Sequence, residues 1–107
     1  MAEPVCRFLE LLRTSDNQRL ANAFRTITPS EELCFEAIDG LYAAARGERS
    51  DTDQLISRLR PYVPNLPEDK GPDAVGFYAE GVLEARIAQR NGVTQEFQEF
   101  LKEFGQR

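Results

Sequence analysis

The sequence predicts an all-α fold: a compact bundle of about six helices, built as two to three helical hairpins, in a single domain spanning residues 1–107. Three observations predict it. Apolar residues recur at three- and four-residue spacing from the first segment to the last, as in helices that turn one face to a core. Prolines, glycines and small polar residues interrupt that pattern where helices start and stop. The stretch from Asp73 to Asn91 is apolar around most of its circumference, which makes it a central helix with neighbours on several sides.

In chain order, Val5, Phe8, Leu9 and Leu12 form a first amphipathic stripe, with Pro4 suited to the opening turn. Thr14 to Asn17 are four poor helix formers, and Ser15 with Gln18 has capping-box spacing ahead of a second stripe of Leu20, Ala23, Phe24 and Ile27. The two stripes are nearly in phase, so one bent helix over residues 4–27 is the alternative to two. Thr28-Pro29-Ser30-Glu31-Glu32 starts a third helix with a cap, a proline in the first turn and acids at the positive end of the dipole. It runs to about Arg46 with a wide apolar arc from Cys34 to Ala45, and Gly47 is placed to end it. Asp51 or Thr52 caps a fourth helix, whose stripe is Leu55, Ile56, Leu59 and Tyr62. Pro61 kinks or ends it, and Val63 before Pro64 is its limit.

The segment Pro64 to Pro72 contains three prolines and a glycine, and is therefore a loop of defined course. In the central helix that follows, Val75, Tyr78, Ala79, Val82, Leu83, Ala85 and Ile87 make the expected buried arc, with Phe77 and Ala88 behind them. Asp73, Glu80, Glu84 and Asn91 make a thin polar strip. Asn91-Gly92 ends it, and Thr94 caps a last helix with Phe97, Phe100, Leu101 and Phe104 on one face beside Glu96, Glu99 and Glu103. A shift of 42 residues pairs Phe35 with Phe77, Ala37 with Ala79, Leu41 with Leu83, Thr52 with Thr94 and Leu55 with Phe97. Residues 33–62 and 75–104 therefore read either as two approximate copies of a helical hairpin, with the first two helices as a degenerate third pair, or as two amphipathic hairpins that align by their pattern alone.

The formal net charge is −5 and the pI about 4.8, which argues against general affinity for nucleic acid or anionic membranes and leaves basic partners allowed. No apolar run is long enough to span a bilayer. Glu3 and Pro4 stand where a signal peptide would be basic and then apolar, so the expected localisation is cytoplasmic. Cys6 and Cys34 lie in separate helical patterns and are expected to be free, buried thiols. Histidine is absent, which removes the commonest general base and metal ligand. No phosphate-binding glycine loop, nucleophile elbow or metal-ligand spacing occurs. No catalytic residues, metal or cofactor are expected, and the chain is not expected to be an enzyme.

The segment from about Leu33 to Gly92 resembles the YjaG-like family of small bacterial helical proteins. The likeness lies in the apolar helix around Ala37-Ile38-Asp39-Gly40-Leu41, the helix Gln54-Leu55-Ile56-Ser57-Arg58-Leu59, the proline-and-acid connection Pro64 to Asp69, and the Tyr78-Ala79 helix. It covers a little over half of the chain, and the family's usual chain is longer. The resemblance implies an all-helical fold. Some similar proteins sit beside toxins as immunity proteins, which suggests a direction for function but no mechanism.

The candidate partner-binding residues are acids: Glu32, Glu36 and Asp39 on the third helix, Glu68 and Asp69 in the proline-rich loop, and Asp73, Glu80 and Glu84 on the central helix. Like charges four apart on a helix cost roughly 0.2–0.5 kcal/mol per pair, so these strips read either as solvated faces or as an acidic ridge for a basic partner. The leading expectation is a protein-binding module of the inhibitor or immunity class that occludes a basic site on a toxin or nuclease. The alternative is a scaffolding module that forms a homodimer through Phe97, Phe100 and Phe104. A mimic of DNA ranks third, because thirteen interspersed Lys and Arg residues break up a phosphate-like array.

Overall fold

The computed structural model describes residues 6–105, which form six helices: α1 (Arg7–Arg13), α2 (Gln18–Ala23), α3 (Pro29–Ala45), α4 (Thr52–Leu59), α5 (Pro72–Arg90) and α6 (Thr94–Gly105). The fold is the expected all-α bundle, and no strand occurs among the described residues. The opening turn expected at Pro4 and Val5 lies outside those residues.

Residues 7–23 form two helices rather than one. The Thr14 hydroxyl donates back to the carbonyls of Glu10 and Leu11, both at 3.2 Å, and closes α1. The cap of α2 is Asn17, not Ser15: Asn17 Oδ1 accepts from the Leu20 N–H at 3.1 Å, while the Ser15 hydroxyl accepts from the Asn17 N–H at 3.2 Å. α2 also stops at Ala23, short of the end of its apolar stripe, and Phe24 caps it.

The Thr28 signal forms a complete capping box. Thr28 Oγ1 accepts from the Glu31 N–H at 3.3 Å, and Glu31 Oε1 accepts from the Thr28 N–H at 2.8 Å. At the far end Gly47 takes φ +80°, a left-handed conformation that favours glycine. Asp51 is the N-cap of α4 but makes no side-chain cap bond, because its carboxylate is paired with Arg49. α4 ends before Pro61, as expected. Tyr62 turns outward rather than extending the stripe, and Val63 takes the buried place. In the loop after it, Leu66 plugs into the core while Glu68 and Asp69 are exposed.

α3 and α5 are the antiparallel centre of the bundle. At one end Arg90 donates to Glu31 Oε1 at 2.9 Å and to the Thr26 carbonyl at 3.0 Å. At the other, Gly76 lies over Leu41 and the Tyr42 ring, where an added Cβ would come within 3.4 Å of Leu41 Cβ and 3.5 Å of Tyr42 Cε1. α4 packs on α3, and α6 on α5, which gives the two expected hairpins; α1 and α2 pair as a third. The correspondence is partial. Ala37 and Ala79 are both buried, and Thr52 and Thr94 both open helices, yet Phe35 is fully buried whereas Phe77 is 74% exposed.

The core joins Leu9, Leu12, Leu20 and Phe24 of the first hairpin to Phe35, Ile38, Leu41, Leu59, Leu83 and Ile87. Cys6 and Cys34 are buried and free. Phe97 is also core, at 4% exposure, with its ring centroid 5.7 Å from that of Phe24. Phe100 and Phe104 pack on Phe8, with centroids 6.0 and 4.9 Å away. On the phenylalanine face of α6, Phe97 is core and Phe100 half-buried, while Phe104 stays 40% exposed.

Candidate functional site

The acids marked in the sequence do not form one ridge. Glu36, Glu68, Asp69 and Asp73 are exposed, Glu32 and Asp39 are half-buried, and Glu68 pairs with Arg60 at 3.2 Å. Glu80 and Glu84 face inward, at 3% and 0% exposure, so the polar strip of α5 is not its solvent face. The helix instead shows water Phe77, Tyr78, Gly81, Ala85 and Arg86. The physical reason is a donor on the neighbouring helix: the Tyr42 hydroxyl, from α3, gives Glu80 Oε1 a hydrogen bond of 2.6 Å.

Around this bond lies a buried group of titratable side chains. Neither oxygen of Glu84, nor Oε2 of Glu80, meets a donor among the described residues, while the two carboxyls lie within hydrogen-bonding reach of each other. Cys6 faces them from the start of α1 and Asp39 from α3. Burial, reinforced by the negative Glu80 alongside, pushes the Glu84 carboxyl up to about 11. Burial also raises Glu80, against the opposing bond from Tyr42, and raises Asp39. The thiol of Cys6 and the phenol of Tyr42 are held far above their ordinary ranges, by burial first and then by the neighbouring carboxyls. One proton between Glu84 and Glu80 supplies the missing donor. The pair is thus an acid–carboxylate couple, closed to solvent and suited to storing a proton rather than to meeting a substrate.

Tyr42→Phe removes the donor to Glu80 and leaves a buried carboxyl oxygen bare. An expected loss of about 1.5–3 kcal/mol, the usual worth of a hydrogen bond to a charged group, is measurable by urea unfolding at pH 7.

A second feature opens to solvent. The α1–α2 turn and α6 bound a groove of about 360 Å³. Its floor is Leu11, Leu20, Phe100 and Phe104, and its rim carries Asp16, Glu96, Glu99 and Glu103. Arg19 pairs with Glu96 at 2.8 Å and also donates to the Gly92 carbonyl at 3.1 Å, which fixes α2 against the start of α6. Asp16, Glu99 and Glu103 remain exposed on the rim. None of these acids was singled out from sequence as a partner-binding residue. Their signal was the placement of Glu96, Glu99 and Glu103 along the edge of the Phe100 and Phe104 face.

Among the described residues no group of three or more acidic, histidine or cysteine side chains is arranged to hold a metal ion, and no helix is long and apolar enough to cross a membrane. The chain matches no protein-family model, no curated protein and no solved structure.

Proposed function

We propose that this chain is a protein-binding module of the inhibitor or immunity kind, and that its groove between the α1–α2 turn and α6 receives a basic, amphipathic segment of the partner. The observation that carries this reading is the groove's composition: an apolar floor of leucine and phenylalanine inside a rim of exposed carboxylates. A partner segment with apolar residues on one face and Lys or Arg along its edges complements both parts. Apolar burial supplies most of the affinity, while the carboxylates steer encounter and fix orientation. The net charge of −5 adds to the steering.

A labelled amphipathic peptide with leucine on one face and arginine on its flanks tests this by fluorescence anisotropy. Binding is expected to weaken as salt rises from 50 to 300 mM and to fall at least tenfold in a Glu99→Lys, Glu103→Lys double variant. Charge reversal of Glu32 and Glu36 on α3 is the control and should change affinity less than twofold. Equal losses in both variants would move the site back to α3, and salt-independent binding would remove the electrostatic part of the proposal.

Self-association is the second reading, and the exposed face of α5 favours it. Phe77 is 74% exposed there, with Tyr78 beside it, a larger bare aromatic surface than α6 offers. A salt-insensitive dimer in sedimentation, abolished by Phe77→Ser, would support this reading over the first.

A further inference from the structure

We propose that the buried Glu80–Glu84 pair is a proton-operated latch on the amino-terminal end of α1, which stays seated while the pair shares a proton and lifts when that proton leaves. The argument begins with an unusual placement. Two carboxyls stand one turn apart on the inward face of α5, and Glu84 is fully buried with no donor on either oxygen among the described residues. The titratable groups facing the pair are Tyr42 and Asp39 from α3 and Cys6 from the start of α1, none of them a cation. Farther out, Arg46 acts on Asp39 from the exposed end of α3, and Glu36 and Asp73 add negative charge. No cation among the described residues faces this apolar space to compensate a second negative charge, so the fold must either hold the proton or open a path for water.

The walls of the space are unequal. α3 and α5 are pinned to one another at both ends, by Arg90 on Glu31 and by Tyr42 on Glu80. α1 has seven residues, and its N-cap, Cys6, makes no side-chain cap bond. The Cys6 thiol lies 3.9 Å from the Phe35 carbonyl and otherwise faces the carboxyls of Asp39 and Glu80, toward all of which a thiol is only a weak donor. When water must enter, the start of α1 yields before the central pair does.

Alkylation of Cys6 by iodoacetamide in the full-length protein, followed by peptide mass spectrometry, reads this directly. The seated thiol is sealed, so the rate follows the open fraction multiplied by the thiolate fraction. Between pH 5 and 8 the thiolate fraction of an exposed cysteine rises about tenfold per pH unit, and an opening that releases one proton rises about tenfold as well. The wild-type rate is therefore expected to climb about a hundredfold per pH unit, and that of Glu84→Gln only about tenfold, because glutamine has no proton to release. Equal slopes in the two proteins would overturn the latch. The dependence on urea separates local from global opening without a variant. A Cys6 rate insensitive to low urea supports lifting of α1, whereas one that rises with the slope of global unfolding overturns it.

Discussion

Glu84→Gln is expected to stabilise the protein at neutral pH, by about 2–4 kcal/mol at pH 7, although it alters a fully buried residue. Glutamate in an unfolded chain titrates at about 4.3, well below the value burial imposes on Glu84 in the fold. Above that unfolded value the folded protein carries one proton that the unfolded chain has released. Stability from this residue is therefore greatest in acid and falls by about 1.4 kcal/mol per pH unit until the folded value of about 11 is passed. Glutamine keeps the shape and the donor toward Glu80 and has no proton to lose. Urea unfolding at pH 5, 7 and 9 should show the gain widening from one pH to the next. A gain independent of pH, or a loss at every pH, would mean that the pair does not hold its proton. This result concerns only the free energy of the whole fold and stands whether or not α1 moves.

Phe24→Ala is expected to cost about 3–5 kcal/mol, the range for removing a buried aromatic ring from a core that cannot close over the gap. A small domain has about 5–15 kcal/mol in all, so this one ring carries a large share of the fold. Phe24 is fully buried at the end of α2, and its tilted ring contact with Phe97 is one place where the first hairpin meets α6. Amide exchange in α6 should accelerate along with the drop in urea midpoint. A loss below 1 kcal/mol would show that the neighbouring leucines repack into the space, and that α6 is held by Arg19 and by the Phe8 cluster instead.

The six helices and most of their ends could be read from the sequence because their causes are local. The Thr28–Glu31 box, Pro29, Gly47 and the Asn91-Gly92 stop each act within a few residues of the backbone they cap. The orientation of α5 could not. Its apolar residues surround it, so periodicity leaves open which side faces water, and the ordinary preference of glutamate for solvent pointed the wrong way. The decision rests with Tyr42, 38 residues away, whose hydroxyl makes burial of Glu80 affordable. Phe77 stands two turns before Glu84 on nearly the same side of α5, so its 74% exposure does not follow from the inward turn of the acids. The groove was hidden for a related reason. Its walls come from residues 11–20 and 96–104, segments brought together by the packing of Phe8 and Phe24 against α6 and by the Arg19–Glu96 ion pair.

The connection from Pro64 to Pro72 is exposed at Glu68, Asp69 and Lys70, and it alone joins the half that ends in α4 to the half that begins with α5. The contact between those halves, α3 against α5, is the most extensive in the molecule. In topological terms the protein is a clasp whose two jaws hold each other more firmly than the thread between them does. Severing that thread would leave each jaw with its complementary surface intact, and an exchange of jaws between two copies would re-create the same core.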